Sequence, residues 1–346
     1  MKIENNSVGI NSKPLIIAEM SGNHNQSLDR ALEIVDAAAN SGADAIKLQT
    51  YTADTITLDI KDKEFLIDDD ESLWSGKTLH ELYSKAYTPW EWHKPIMDRA
   101  KDLGIFCFSS PFDETAVDFL ENLNVPAYKI ASFENNHIPL IKKVASTGKP
   151  VIISTGMATV SEIHEAVTSA RESGCRNLVL LKCTSTYPAS PLNSNIMTIP
   201  HMKELFGCEV GLSDHTLGIG ASLAAVAHGA TVIEKHFCLD RNDGGVDSSF
   251  SLEPNEFKNL VIETNSCWQS LGGVLYGGVS DEDKSKTFRR SLYVAEDMKA
   301  GEIFTKSNLR VVRPGLGLPP KYYDLFLGKS VNKDLKKGTP VNWSYI

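Results

Sequence analysis

Long apolar runs and paired cysteines are both missing from this sequence of 346 residues. No segment approaches the roughly 18 consecutive apolar residues that a membrane-spanning helix needs. The opening residues, MKIENNSVGI, do not resemble a secretion signal. The six cysteines include no CxxC pair, which argues against a disulfide framework in a chain of this length. We therefore expect a cytoplasmic protein with reduced cysteines and no membrane association.

Charge is distributed unevenly along the chain. The net charge is −9, yet residues 284–346 contain 13 Lys or Arg against 5 Asp or Glu. A basic segment can bind nucleic acid, but a solvated arm would lack the apolar residues that recur here at strand-like spacing. These residues are Leu292, Val294, Ile303, Phe304, Leu309, Val311 and Val312. We expect a small folded domain that faces an anionic ligand, and no nucleic-acid partner.

Eight short apolar runs, each followed by a helical pattern, precede this basic segment. The predicted strands are 15–19, 45–49, 104–109, 127–131, 151–154, 178–182, 208–213 and 231–236. The predicted helices are 28–41, 88–103, 113–122, 138–147, 160–173, 195–206, 217–229 and 254–271. Eight such units are typical of an α/β fold of the (β/α)8 TIM-barrel class, and continuous apolar strands are typical of a buried parallel sheet. An open doubly wound sheet is the alternative, but no GxGxxG motif follows the first strand.

Two segments do not fit this repeat. Residues 51–87 form an insertion after the second strand, acidic at 68–71, and we expect a loop over the barrel mouth. Residues 276–286 are rich in Gly, Ser and charge, which indicates a linker. We accordingly predict a catalytic barrel domain at 1–275, a linker at 276–286 and a small β-rich domain at 287–346.

Polar side chains stand at or just after the carboxyl end of every predicted strand. The catalytic groups of TIM barrels lie at that end. A serine or threonine in such a position often caps the next helix, but the coincidence at all eight strands favours a functional site. The polar residues are Glu19, Lys47, Gln49, Ser109, Ser110, Lys129, Ser132, Glu134, Ser154, Lys182, Ser185, Tyr187, Ser213, His215, Glu234 and His236.

Two histidines at the ends of the last two strands form a candidate metal site. His215 and His236 would lie on adjacent strands, close enough to bind one cation. Two nitrogen ligands in oxygen-rich surroundings leave positions for water and a substrate oxygen, which indicates Mn²⁺ or Mg²⁺. A third ligand from Cys183 or Cys238 would favour zinc instead. His24 is a further candidate, as a ligand or as a substrate contact.

Lysines and hydroxyls converge at the same end of the barrel. Ammonium groups, hydroxyls and loop N–H donors together suit a phosphate or a phosphorylated carboxylate. The group consists of Lys47, Lys129, Ser132, Ser154 and Ser213. The alternatives are that the lysines only form ion pairs, or that Lys129 forms a Schiff base in an aldolase.

Five motifs in the barrel region resemble the sialic acid synthase family. They are IIAEMSGNHN (16–25), AIKLQT (45–50), YKIAS (128–132), GLSDHTLG (211–218) and ATVIEKHFCLDR (230–241). SLEP (251–254), before the last predicted barrel helix, adds to the likeness, and VVRPGLGL (311–318) extends it into the tail. The resemblance implies a TIM barrel followed by an antifreeze-like (SAF) domain, in a homodimer with swapped C-terminal domains. It also implies a divalent cation and the condensation of phosphoenolpyruvate with an N-acylated amino-sugar aldehyde, giving a nonulosonic acid and phosphate.

Within that family, the sequence is most similar to the pseudaminic acid synthases. The similarity lies in EMSGNHN (19–25), FSSPFDETAVDFLE (108–121) and GGVDSSFSLEP (244–254). The implied sugar is 2,4-diacetamido-2,4,6-trideoxy-L-altrose. A synthase of N-acetylneuraminate or legionaminate is the alternative, acting on N-acetylmannosamine or the corresponding trideoxymannose. Ser185 stands where sialate enzymes often have Asn, and a non-catalytic carbohydrate-binding protein of surface assembly is a more distant alternative.

The resemblance and the chemistry of the side chains together suggest roles for the candidate residues. A cation at His215 and His236 would polarise the sugar aldehyde, and Glu19 and Glu134 would stabilise positive charge or transfer protons. The expected substrate contacts are Lys47, Gln49, Ser110, Lys129, Ser132, Ser154, Ser185, Tyr187, Ser213 and Asp247. Arg313 in the tail would reach the sugar bound by the partner chain.

Overall fold

A computed structural model describes residues 1–68 and 74–346, and the chain divides into the compact units Met1–Gly272 and Gly273–Ile346. The first unit contains a closed barrel of eight parallel strands, in which each strand pairs with its neighbours along the chain and β8 closes on β1. The strands are Leu15–Glu19 (β1), Ala45–Thr50 (β2), Phe106–Pro111 (β3), Tyr128–Ile130 (β4), Val151–Ser154 (β5), Leu178–Cys183 (β6), Glu209–Asp214 (β7) and Val232–His236 (β8). The predicted TIM barrel is confirmed.

Helices connect the strands on the outside of the barrel. They are Leu28–Asn40 (α1), Ala53–Ile56 (α2), Leu79–Ala86 (α3), His93–Asp102 (α4), Glu114–Asn122 (α5), Ile138–Ser146 (α6), Val160–Glu172 (α7), Thr198–Phe206 (α8), Gly220–Ala227 (α9) and Pro254–Leu271 (α10). Local capping explains where several begin: Thr159 accepts from the backbone N–H of Glu162, whose carboxylate accepts from the Thr159 N–H. This capping box fixes the first turn of α7.

The insertion at 51–87 is not the simple loop that the sequence predicted. It contains α2 and α3, because Thr52 and Thr78 each start a helix with a capping box. The apolar residues of α3 recur at helical spacing, a pattern that the acidic composition of the segment obscures. Of the acidic run at 68–71, only Asp68 belongs to the described residues.

The barrel has one apolar layer inside and another between strands and helices. Side chains of successive strand residues alternate, so Ile16 and Ala18 pack towards the helices while Leu15 and Ile17 point inward. A short hairpin of Lys2–Ile3 and Asn6–Ser7 adds apolar side chains to the inner cluster. The lower part of the barrel is therefore apolar, and the polar inward positions lie at the carboxyl ends of the strands.

The second unit is small and β-rich. Its strands Ser291–Val294 (β9) and Leu309–Val312 (β10) pair antiparallel, and a short helix, Tyr323–Phe326 (α11), follows. Its core contains Leu292, Val294, Phe304, Leu309 and Phe326. Arg313 follows β10 directly and is exposed. Among the described residues, no helix is both long enough and apolar enough to cross a membrane.

Candidate active site

Four charged side chains form a buried layer inside the barrel, near the carboxyl ends of the strands. Glu19 and Lys47, from neighbouring strands, form an ion pair. Glu234 lies between the two lysines, with Oε2 3.9 Å from Lys47 Nζ and Oε1 3.7 Å from Lys129 Nζ. All four side chains belong to residues that are at most 5% exposed. Each buried charge therefore depends on the others for compensation.

Glu234 is the central residue to which the sequence analysis gave no role. Alternate residues of a strand share a face, so Glu234 and His236 both point into the barrel. Lys235 points outward, where its Nζ lies 2.9 Å from Asp214 Oδ2 and donates to Thr216 O at 2.6 Å. The signal was available in the sequence, because Glu234 stands two residues before a candidate metal ligand in the same strand.

Serine hydroxyls surround the charged layer. Ser213 donates to Glu234 Oε1 at 3.0 Å, and Ser110 accepts from Lys47 Nζ at 3.3 Å. The hydroxyl of Ser154 is buried and has no hydrogen-bond partner in the described part of the chain. Two ammonium groups beside an unpaired hydroxyl can bind a phosphate or a carboxylate.

His215 and His236 lie next to each other, with ring centroids 5.2 Å apart. Nδ1 of His215 lies 3.1 Å from the carbonyl oxygen of Thr184, which can only accept a hydrogen bond, so in the neutral imidazole Nδ1 carries the proton and Nε2 has a free lone pair. Nδ1 of His236 is buried without a hydrogen-bond partner among the described residues, 3.6 Å from Asp247 Oδ2. Within 1–68 and 74–346, no group of three or more His, Cys, Asp and Glu side chains is arranged to hold a metal ion.

The other sequence candidates for metal binding have different contacts. The sulfur of Cys183 lies 3.9 Å from Nδ1 of His215, the nitrogen that faces a backbone carbonyl. Cys238 is buried, with its sulfur 4.0 Å from a backbone oxygen. His24 is fully buried, and its Nε2 is hydrogen-bonded to Thr88 Oγ1 at 3.1 Å while Nδ1 accepts from a backbone N–H. His24 therefore has a structural role in the loop after β1.

Hydrogen bonds between the loops after β1 and β8 position Asp247. Asn23 donates to Phe237 O at 3.0 Å and to Ser251 Oγ at 2.9 Å. Its Oδ1 accepts from the backbone N–H of Asp247 at 3.3 Å, and the hydroxyl of Ser21 donates to the Asp247 carboxylate. This network holds the carboxylate beside the histidine pair.

A cavity of about 560 Å³ opens beside the charged layer. Its polar lining consists of Ser21, Gln49, Ser132, Glu134, Ser185, His236 and Asp247. Ser185 donates to Ser132 at 2.9 Å, and Gln49 donates to Glu19 Oε1 at 3.1 Å. Tyr187 also lines the cavity, and its ring centroid lies 4.6 Å from that of His215. The structure thus brings the predicted site residues of the first unit together, whereas Arg313 belongs to the second unit.

Burial shifts the pKa of several groups in this site. It raises the pKa of the Glu134 carboxyl to about 7, against the opposing effect of Lys129. It raises the pKa of Glu19 as well, although the ammonium of Lys47 lowers it. It lowers the pKa of His236 well below the ordinary value, and the neighbouring imidazole adds to this effect. The site therefore offers carboxyl groups that can change protonation near neutral pH.

Comparisons with known proteins identify the family. The NeuB family profile matches residues 34–276 and the SAF domain profile residues 289–346. A pseudaminic acid synthase of Campylobacter jejuni is 46% identical over 330 residues, 94% of each chain. An N,N'-diacetyllegionaminic acid synthase of the same species is 40% identical over 332 residues, 94% of this chain and 98% of that protein.

A solved structure agrees with the sequence comparisons. The N-acetylneuraminic acid synthetase of Leptospira borgpetersenii, in complex with citrate, has a TM-score of 0.73 and 32% identity. The match covers 82% of this chain and 94% of that one. The family resemblance that the sequence motifs indicated is therefore confirmed. This chain belongs to the NeuB family and carries a SAF domain after its TIM barrel.

Proposed function

We propose that this protein condenses phosphoenolpyruvate with 2,4-diacetamido-2,4,6-trideoxy-L-altrose and water, giving pseudaminic acid and phosphate. The observation that carries the proposal is the pairing of a buried two-lysine site with a cavity large enough for a sugar. The choice of sugar is supported by the higher identity to the pseudaminic acid synthase, 46% against 40% for the legionaminic relative.

Phosphoenolpyruvate would bind at the charged layer. Lys47 and Lys129 supply two ammonium groups, and Ser154 supplies a hydroxyl that has no partner among the described residues. A phosphate or carboxylate oxygen would provide the missing acceptor for this hydroxyl and would accept further hydrogen bonds from the two ammonium groups. Ser110 and Ser213 lie in the same layer and extend this set of donors.

The donor set beside the cavity fits one divalent cation, Mn²⁺ or Mg²⁺. His215 and His236 supply imidazole nitrogens, and Nδ1 of His236 is buried with no hydrogen-bond partner among the described residues. Such a set leaves the other positions for oxygen atoms, as these cations prefer. When bound, the cation supplies polarisation of the aldehyde oxygen of the sugar.

In the proposed reaction, C3 of phosphoenolpyruvate attacks the aldehyde carbon and positive charge develops at C2. Glu19, held beside the lysines, stabilises that charge by its position in the layer. Water then adds to C2, and the tetrahedral intermediate expels phosphate by cleavage of its C2–O bond. Lys47 and Lys129 stabilise the departing phosphate, and Glu134 donates a proton to the oxygen of the former aldehyde.

The proposal extends to the assembly that the family resemblance implies. The protein would be a homodimer with swapped C-terminal domains, in which Arg313 of one chain contacts the sugar bound by the other. The exposed guanidinium and the basic composition of residues 284–346 support this role.

Release of phosphate from phosphoenolpyruvate tests the proposal directly. The protein is incubated with Mn²⁺ and, separately, with the altrose derivative, the trideoxymannose isomer and N-acetylmannosamine. Release with the altrose derivative at the highest kcat/KM is expected. A preference for the trideoxymannose would identify a legionaminate synthase, for which the 40% identical relative is the supporting observation. If no sugar gives phosphate but borohydride traps a substrate on Lys129, the protein is a Schiff-base aldolase instead.

A further inference from the structure

The two sides of the cavity differ in chemistry. The lining residues from the insertion are Tyr51, Ile56, Ile67, Trp74, Leu79, Leu82, Tyr83 and Ala86, all apolar or aromatic. Apart from the phenol groups of Tyr51 and Tyr83, the hydroxyl, amide, carboxylate and imidazole groups of the lining come from the strand ends and loops of the barrel. The described part of the insertion therefore contributes a mainly apolar wall to a cavity whose charged groups come from the barrel.

The helix α3 supplies half of this wall from one face. Leu79, Leu82, Tyr83 and Ala86 follow the i, i+3, i+4, i+7 spacing that places side chains on one side of a helix. The opposite side carries exposed residues, among them Ser84. An amphipathic helix normally packs its apolar face against a core, but the two barrel cores are formed without these four residues. The apolar face of α3 borders the cavity instead.

Two acidic residues in the described part of the insertion lie away from this wall. The side chains of Asp54 and Asp59 are 88% and 71% exposed, and neither lines the cavity. His80, on the outer side of α3, lies 3.0 Å from Asp54 Oδ1. The wall is therefore mainly apolar although the sequence that forms it is strongly charged.

We infer that the apolar face of α3 selects sugars that carry methyl groups in place of hydroxyls, the class of deoxy N-acylated amino-sugars. The inference rests on the proposed function and adds that α3 is the segment that recognises the methyl group of the sugar. A methyl group against Leu79 and Leu82 removes apolar surface from water, whereas a hydroxyl there loses its hydrogen bonds to water and meets aliphatic side chains that offer no partner. One methyl in an apolar pocket changes kcat/KM by roughly 10- to 200-fold.

The test compares two acceptors that differ only at the terminal carbon, the 6-deoxy sugar and its 6-hydroxy counterpart. The wild type should prefer the 6-deoxy sugar by at least about tenfold in kcat/KM. Leu79→Asn should reduce that ratio at least about fivefold and leave the KM of phosphoenolpyruvate within about twofold. Ser84→Asn, which introduces the same side chain on the exposed side of α3, should keep the wild-type ratio. An unchanged ratio in Leu79→Asn would overturn the inference.

A binding measurement separates this inference from the proposed reaction. The two acceptors are reduced to their alditols, which cannot react, and their affinities are measured by calorimetry with folded wild type and Leu79→Asn, checked by circular dichroism. Tighter binding of the deoxy alditol by the wild type, lost in Leu79→Asn, supports the inference even if no phosphate is released in the activity assay. If the wild type binds both alditols equally or neither, the inference is wrong. If Leu79→Asn does not fold, Ala86→Ser places a hydroxyl on the same face, and an unchanged preference for the deoxy alditol in that variant overturns the inference.

Discussion

The carboxylate of Glu234 lies between two buried ammonium groups, 3.7 Å from Lys129 Nζ and 3.9 Å from Lys47 Nζ. Burial lowers the pKa of Lys129, and the charge of Glu234 acts against that shift. Glu234 thus favours the protonated form of a lysine that burial alone would tend to neutralise. The anion binding proposed for this site would therefore depend on a residue that does not itself bind anions.

Glu234→Gln should weaken phosphoenolpyruvate binding increasingly as the pH rises. Without the carboxylate, the pKa of Lys129 falls further, so the ammonium loses its proton at a lower pH than in the wild type. The KM of phosphoenolpyruvate, measured by phosphate release from pH 6 to 9, should rise more steeply in the variant. Removing one partner of a buried charge pair should also lower the free energy of unfolding by about 3–5 kcal/mol.

A surface ion pair provides the control for this variant. Glu209 lies 3.3 Å from Lys203, and both side chains are partly exposed. Glu209→Gln should change the free energy of unfolding by less than about 1 kcal/mol and leave the pH dependence of the KM unchanged. A Glu234→Gln variant with the wild-type pH dependence would contradict the role given to Glu234.

His215→Ala and His236→Ala should each abolish Mn²⁺ binding and metal-dependent phosphate release. The reason is that the described residues offer no larger group of ligands to hold the ion when one imidazole is lost. Binding is measured by calorimetry with Mn²⁺ alone, and activity after removal and return of the metal. His164→Ala, an exposed histidine on α7, should match the wild type in both measurements. Full activity in both site variants would refute the metal assignment.

Glu134→Gln should remove a pH dependence of kcat centred near 7. Burial raises the pKa of Glu134 to about 7, so the carboxyl is protonated below that pH and can donate a proton there. As the pH rises through 7 this proton is lost, and the kcat of the wild type should decline. The Glu134→Gln variant should have a lower kcat that does not decline around pH 7. Glu165→Gln, a substitution of an exposed residue on α7, should keep the wild-type decline. If the kcat of Glu134→Gln still declines near pH 7, a group other than Glu134 causes the decline.

Much of the barrel could be predicted because each strand is a continuous apolar run. β1 and β5 begin and end where the sequence predicted, and the other strands differ by one or two residues at their ends. The alternation of side chains then identifies the inward residues, which is why Lys47 and Lys129 were found. The same alternation identifies Glu234, but an acidic residue between Ile233 and Lys235 gave no chemical motif by itself.

Other parts of the site could not be predicted because they depend on contacts between distant segments. Asn23 and Asp247 are 224 residues apart in sequence, and only closure of the barrel brings their loops together. The helix α3 was missed for a different reason. Its apolar face serves a cavity rather than a core, so the pattern stands in an acidic segment without the buried neighbours that usually mark a helix of a barrel.

Gly211→Ala should destabilise the barrel strongly. A Cβ on Gly211 would lie 2.2 Å from the carbonyl oxygen of Val232 and 2.7 Å from the side chain of Leu181, and the backbone atom cannot move away without breaking the sheet. Overpacking of this kind costs about 1–3 kcal/mol or more. Urea unfolding gives the value. Gly220→Ala, where a Cβ meets nothing within 4 Å, should be neutral or slightly stabilising.

Arg313→Ala should raise the KM of the sugar far more than that of phosphoenolpyruvate, because Arg313 is proposed to contact only the sugar. Arg310→Ala, a substitution of another exposed arginine three residues earlier in β10, is the matched control and should leave both values near those of the wild type. Equal increases in both KM values would assign Arg313 to the phosphoenolpyruvate site or to folding.

Mixing two impaired variants, assayed at a sugar concentration far below the KM expected for Arg313→Ala, tests whether that arginine acts across the proposed dimer. Lys129→Ala has a defective barrel and an intact tail, whereas Arg313→Ala has an intact barrel and a defective tail. With swapped tails, a mixed dimer contains one complete site, since the intact tail of one chain serves the intact barrel of the other. Co-expression of the two variants should therefore restore up to about half of the wild-type activity per mixed dimer. If each tail serves its own barrel, no mixed dimer contains a complete site, and the activity of the mixture stays at the average of the two variants.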